Sequence, residues 1–249
     1  MTDAFRKRLS RGGLLIGTIV SIPSPEVAEV LSLAGFDWLF VDMEHGTLDF
    51  TTTQRILQAA SPSTPCLIRT PSKDEVWIKR CLDMGASGII VPQVKSVDDA
   101  EAVIQFSKYP PFGSRGVGIA RAHGYGTAFR DYLIQANDET AVVLQIEHIE
   151  AVKSIESIVE VPGIDAVFIG PYDLSASLGK IGEITDADVQ DAISCVRNCA
   201  KKARIPLGIF AATVDSAKTF IQEGYRLIAL GIDTMLLAGV AKEILASLR

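Results

Sequence analysis

Two stretches carry the residue types that can do chemistry together. Leu144-Gln145-Ile146-Glu147-His148 and Ile169-Gly170-Pro171-Tyr172-Asp173-Leu174-Ser175 each begin as an apolar run and end in a carboxylate. The runs, 141–146 and 166–169, have strand length and are bounded by polar or Gly/Pro residues. About twenty residues separate them, with a helical pattern over 149–160. That spacing is a strand–helix–strand unit, so the strands are expected to be parallel and to open on one side of the sheet. Glu147 and Asp173 then stand side by side at that rim. Two carboxylates held together without a cation repel, and one is forced to take a proton. A hard divalent metal with oxygen ligands resolves the conflict. Two solvated loop acids are the other reading of the same residues.

The elements that must position these acids follow from hydrophobic periodicity. A helix over 3–11 ends at Gly12-Gly13, a suitable C-cap. Strands are expected at 14–21, 36–43, 66–70, 88–92, 141–146, 165–169, 207–211 and 226–230. Helices are expected at 24–34, 51–60, 73–84, 96–108, 128–136, 149–160, 186–204, 215–223 and 234–248, with a short extra turn at 175–178. Residues 109–127 form an irregular Gly/Pro-rich stretch, longer than an ordinary connection, and such loops are usually functional or mobile. Eight short strands alternating with helices make the pattern of a (β/α)8 TIM barrel, read as one domain over 1–249. An open doubly wound sheet competes, but the nearest Gly-rich match, 113–118, follows Pro110-Pro111 and no strand.

Composition narrows the function classes. The chain has 249 residues, 48% hydrophobic and 22% charged, ample for a sizeable core. Its formal net charge is −6, and the basic residues cluster only at Arg6-Lys7-Arg8 and Lys201-Lys202, which argues against a nucleic-acid partner. No apolar run reaches the roughly 18 residues of a membrane span, so no membrane role is expected. Residues 1–13 read as a charged amphipathic helix rather than a signal peptide. Cys66, Cys81, Cys195 and Cys199 read as small buried apolar side chains of a protein in the reducing cytoplasm, at spacings that do not suit zinc.

In a barrel, reacting groups lie at the C-terminal ends of the strands. Those ends supply His45 after the second strand, Arg69 after the third, Gln93 after the fourth, Glu147 after the fifth and Asp173 after the sixth. The last two strands end in mostly small residues, Ala211-Ala212 and Gly231-Ile232-Asp233. Singly, each polar residue has a bland reading: His45 as a loop histidine, Arg69 as the partner of a surface acid. Their convergence on one rim is the stronger signal. Gln145 shares a strand face with Glu147 by alternation, whereas His148 lies on the opposite face and reads as structural. Glu44 reads as a supporting or interface acid, and His123 has no assigned place.

The chain resembles the HpcH/HpaI aldolases, a family of class II, metal-dependent pyruvate aldolases. Val41-Asp42-Met43-Glu44-His45-Gly46, Leu67-Ile68-Arg69-Thr70-Pro71, Gly113-Ser114-Arg115-Gly116-Val117-Gly118, Gln145-Ile146-Glu147 and Gly170-Pro171-Tyr172-Asp173-Leu174-Ser175 carry the resemblance, in order along essentially the whole chain. The ending Leu230-Gly231-Ile232-Asp233-Thr234-Met235-Leu236 is similar too. The resemblance implies a TIM barrel whose last helix is exchanged between subunits, usually in a hexamer built from dimers. The apolar face of that helix, including Met235, Leu236, Leu237, Val240, Ile244 and Leu245, agrees with this and would also suit packing within one chain. It further implies Glu147 and Asp173 as ligands of Mg2+, Mn2+ or Co2+, His45 as general base and Arg69 as stabiliser of developing negative charge. Gln145 and the backbone at Tyr172 and Asp173 would contact substrate. Asp83 matches a family acid that raises the basicity of the histidine. It closes a helix at the end of the barrel away from the rim, so it reaches a histidine only across a subunit contact; Asp42 is the nearer group to orient His45. Tyr172 stands where many relatives carry a small residue, which bears on the substrate entrance.

The implied reaction is reversible cleavage of a 4-hydroxy-2-oxo acid to pyruvate and an aldehyde through a metal-stabilised enolate. Substrates such as 4-hydroxy-2-oxoheptanedioate or a 2-dehydro-3-deoxy sugar acid fit. No lysine ends a middle strand in a position to form a Schiff base, which argues against covalent amine catalysis. The alternatives are a related lyase acting on an acyl-CoA or dicarboxylic acid, and a non-catalytic barrel that binds a small acid.

Overall fold

The structure, a computed structural model, describes residues 5–60 and 64–249. Helix α1 (Phe5–Ser10) leads into β1 (Leu15–Val20), α2 (Pro25–Leu33), β2 (Trp38–Asp42), α3 (Phe50–Ala60), β3 (Cys66–Arg69), α4 (Glu75–Asp83), β4 (Gly88–Val91) and α5 (Val97–Ser107). A 3-10 segment (Arg121–Gly126) and α6 (Phe129–Glu139) precede β5 (Ala141–Ile146), α7 (Ile149–Lys153), α8 (Ile155–Ile158), β6 (Ala166–Ile169) and α9 (Pro171–Ser177). The chain ends with α10 (Ala187–Ala203), β7 (Leu207–Ala211), α11 (Val214–Gln222), β8 (Leu227–Ile232) and α12 (Asp233–Ser247). The eight strands form a closed parallel barrel in chain order, as the strand spacing requires.

Alternation within each strand divides the core in two. Leu15, Ile19, Trp38, Phe40, Leu67, Ile90, Val143 and Phe168 fill the barrel, while Leu39, Val41, Ile68, Ile89, Leu144 and Val167 face the helices. Helix α1 packs Phe5 and Leu9 onto the inner cluster, with the Phe5 ring 6.1 Å from that of Trp38. Arg6 pairs with Asp165 at 2.6 Å, and Arg8 pairs with Asp37. Both acids lie just before a strand, so α1 covers the barrel's N-terminal end and leaves the C-terminal rim open. The expected helix over 3–11 begins at residues outside the described ones.

Three expectations change. The helix expected over 149–160 is two pieces, because the Ser154 N–H is shared between the carbonyls of Glu150 and Ala151 and tightens the turn between them. The turn expected at 175–178 is the end of a helix that starts at Pro171, whose ring presets the first helical residue. Of the four cysteines, Cys66 and Cys81 are buried and Cys199 is half-buried against the core, but Cys195 is exposed; all four are free. The 109–127 stretch is anchored by side chains: the buried His123 meets the Tyr109 hydroxyl at 3.2 Å, and the Arg115 guanidinium stacks 4.6 Å from the Tyr109 ring. On α12, Met235, Leu237, Val240, Ile244 and Leu245 are exposed. No described helix is long and apolar enough to cross a membrane.

Candidate active site

The rim is built by register. Asp42 and Arg69 are cross-strand partners on β2 and β3, so their side chains point into the mouth from the same level. Arg69 donates from Nε to Asp42 Oδ1 at 2.9 Å and from Nη2 to Oδ2 at 2.7 Å, a two-pronged charged pair. Burial works against the guanidinium charge, but these bonds and the acids around it hold its pKa above the ordinary value. Asp42 Oδ1 also accepts the backbone N–H groups of Glu44 (3.0 Å) and His45 (3.2 Å). Asp42 therefore orients His45 through its backbone, fixing the turn that carries the imidazole. That ring is open to solvent, 65% exposed, with Nε2 3.7 Å from Glu44 Oε2. Glu44 Oε2 also lies 3.2 Å from Arg69 Nη1. Burial pushes the Glu44 carboxyl up to about 7 against the pull of Arg69, with Glu147, Asp42 and Asp173 adding to the rise.

The register of β5 and β6 pairs Ile146 with Ile169, which puts Glu147 beside Gly170. Glu147 is 2% exposed, and both its oxygens accept hydrogen bonds. Its Oε1 accepts the Gln93 backbone N–H at 2.7 Å and the Gln93 Nε2 at 3.0 Å, and its Oε2 accepts Gln145 Nε2. Gln93 has φ +58°, a left-handed conformation that costs a non-glycine residue and here aims its N–H at the carboxylate. Burial raises the Glu147 pKa and the Asp173 charge adds to it, while the Gln93 and Gln145 bonds and Arg69 oppose the rise. Gly170 is required by this packing. A Cβ there would lie 3.0 Å from both Cβ and Oε2 of Glu147. Gly170→Ala is expected to displace the carboxylate and weaken divalent-metal binding and activity by about 10–100-fold, the scale on which supports of a metal ligand act. Metal titration and initial rates on the folded variant check this.

Asp173 and Tyr172 enter from the first turn of α9, whose N–H groups have no partner within the helix. They join His45, Arg69, Gln145 and Gly170 around a cavity of about 180 Å³. Of the other expected residues, Asp42 and Glu147 stand behind this lining, bonded to Arg69 and Gln145, and Asp83 lies away from it. Asp83 ends α4 and meets Arg115 Nη2 at 2.6 Å, not His45. The Arg115 side chain is 0% exposed, so Asp83→Asn is expected to cost about 3–5 kcal/mol of stability by leaving a buried cation without its acid. Denaturant unfolding measures this; lost activity without lost stability would instead assign Asp83 to a neighbour's histidine. His148 caps α7, accepting the Glu150 N–H, which fits its structural reading.

The far wall is more apolar than its mostly small strand ends suggested: Ile232, named at the rim from the sequence, lines the cavity with Phe210 and Ile19, which were not. Asp233, also at that rim, is consumed structurally: it accepts Ser21 N–H (2.8 Å), Ser21 hydroxyl (2.7 Å) and Ile22 N–H (2.8 Å), tying β8 to the end of β1.

The donor set suits a hard divalent ion. Asp42, Glu44 and Glu147 stand around the Arg69 guanidinium, and Asp173 lines the same cavity as Arg69. Gln145 Oε1 is buried with no hydrogen-bond partner among the described residues. All these donors are oxygens, the ligands of Mg2+ and Mn2+. No group of three or more His, Cys, Asp or Glu placed to hold a metal ion occurs among the described residues.

A family model described as HpcH/HpaI aldolase/citrate lyase matches residues 16–239. The chain is 40% identical to the hydroxypyruvate/pyruvate aldolase of Paraburkholderia phytofirmans, covering 100% of this chain and 98% of the relative. It is 40% identical to the 4-hydroxy-2-oxo-heptane-1,7-dioate aldolase of Klebsiella pneumoniae, covering 99% and 94%. A crystal structure of an aldolase/citrate lyase family protein from Burkholderia cenocepacia superposes with a TM-score of 0.95 at 36% identity over 98% of each chain.

Proposed function

The chain belongs to the HpcH/HpaI aldolase/citrate lyase family, and from that membership we infer that it is an aldolase, a carbon–carbon lyase that splits a 4-hydroxy-2-oxo acid into pyruvate and an aldehyde. The observation that carries this reading is the gathering of His45, Arg69, Gln145 and Asp173 around one cavity at the open end of the barrel. Glu147 and Asp173 would hold a divalent ion, with Gln145 contacting the bound 2-oxo acid. When bound, the ion supplies Lewis-acid stabilisation of negative charge developing on the 2-oxo oxygen.

The residues divide the remaining work. The unpaired N–H groups at the start of α9 receive the substrate carboxylate. His45 takes the proton of the C4 hydroxyl. The C3–C4 bond then breaks, its electron pair stays with the pyruvate half as an enolate, and the aldehyde leaves. Arg69, fixed by Asp42, lends positive charge to that half. Returning a proton to C3 gives pyruvate. Asp42 is a positioning residue here, because its contacts run to Arg69 and to the backbone of His45.

The exposed apolar face of α12 supports exchange of that helix between subunits of a homo-oligomer, such as a hexamer or trimer of dimers. The four free cysteines suit the cytoplasm. Chelation tests the chemistry. EDTA is expected to abolish pyruvate release, with Mg2+, Mn2+ or Co2+ restoring it, and borohydride with pyruvate to leave the enzyme active. Activity that survives EDTA but not borohydride would mean covalent amine chemistry instead.

A further inference from the structure

The cavity has two chemically distinct halves. His45, Arg69, Gln145 and Asp173 form one side. The opposite side comes from β7, β8 and β1 as Phe210, Ile232 and Ile19, over a floor of Phe168 and Phe40 whose rings meet edge-on at 5.6 Å. Tyr172, 46% exposed, roofs this side with its ring 6.4 Å from that of Phe210. Resting on the aldolase reading, we propose that the aldehyde half of the substrate occupies this apolar side and is short, uncharged and aliphatic.

Charge supports the assignment. Arg69 is the only lysine or arginine lining the cavity among the described residues, and its guanidinium already faces Asp42 and Glu44. A second carboxylate on the aldehyde would lose water against aromatic and aliphatic carbon, with no further side-chain cation of the lining to meet it. The hydroxyls of a sugar-derived aldehyde would lose their water partners on the same wall. Size sets the length. The whole cavity is about 180 Å³, and a cavity of about 150 Å³ lined by Leu, Ile and Phe holds a benzene ring. With pyruvate on the polar side, only a short chain finds room.

The test is aldol addition of pyruvate to matched aldehydes by the full-length, Mn2+-loaded enzyme. From acetaldehyde through propanal to butanal, kcat/KM is expected to rise about fourfold per methylene, the value of one buried CH2. Butanal is expected to exceed succinic semialdehyde, of equal carbon count, by tenfold or more, and propanal to exceed glyceraldehyde likewise. Tyr172→Ala should flatten the methylene dependence, the ratio of kcat/KM for butanal to that for acetaldehyde falling toward one. Succinic semialdehyde or glyceraldehyde matching its alkyl counterpart would overturn the proposal. Exchange of pyruvate C3 hydrogens with deuterated water, run without aldehyde, reads the pyruvate half alone. Exchange with no alkyl aldehyde accepted defeats the apolar-tail assignment but leaves the pyruvate chemistry standing; neither exchange nor addition defeats both.

Discussion

Glu147→Gln is expected to lower kcat/KM by about 10³-fold or more, the scale of several kcal/mol of lost charge stabilisation. The substitution keeps the shape of the side chain and removes one negative charge. The new side-chain oxygen can still accept the Gln93 N–H that Glu147 Oε1 accepts at 2.7 Å. Its amide nitrogen would then face Gln145 Nε2, a donor that now bonds Glu147 Oε2. That clash of donors costs about 1–3 kcal/mol, little enough for the barrel to remain folded. The activity loss should therefore appear in initial rates at the Mn2+ concentration that saturates the parent, while the circular dichroism stays that of the unaltered protein. A loss below tenfold would mean that this carboxylate is a structural acid.

His45→Ala is expected to slow cleavage by about 10²–10⁴-fold, the usual contribution of a general base. The imidazole is 65% exposed, and its one charged neighbour in the turn is Glu44 at 3.7 Å. Stability should therefore stay within about 0.5 kcal/mol. Asp42 would still hold the turn, because it grips backbone N–H groups and not the ring. The open position also makes the loss repairable: free imidazole added to the variant should recover part of the rate. Full loss of folding, or a rate unchanged from the parent, would contradict the role.

The barrel was legible because its signal is repeated. Eight apolar runs of strand length, separated by helical periodicity, leave few topologies, and the closed parallel order follows. The polar half of the mouth was legible for the same reason, since His45, Arg69, Gln145, Glu147 and Asp173 each end or follow a strand. What stayed hidden depends on local backbone geometry. Nothing in Pro92-Gln93-Val94 announces a left-handed Gln93 whose N–H turns onto Glu147. The start of α9 at Pro171 could have been read from the Gly-Pro pair, and it places Asp173 in a first turn and not in a loop. Phe210 and Ile232 look like ordinary strand residues; only barrel closure turns them toward the site. The partner of Asp83 was equally out of reach, because Arg115 lies in an irregular stretch with no periodicity to place it.

The measurement that bears most directly on the central claim is a Mn2+ titration followed by electron paramagnetic resonance, on the parent protein and on Glu147→Gln and Asp173→Asn. One Mn2+ is expected per chain of the parent, with a spectrum that changes when pyruvate is added, and both are expected to be lost in each variant. Binding in either variant as tight as in the parent, with the same response to pyruvate, would contradict it.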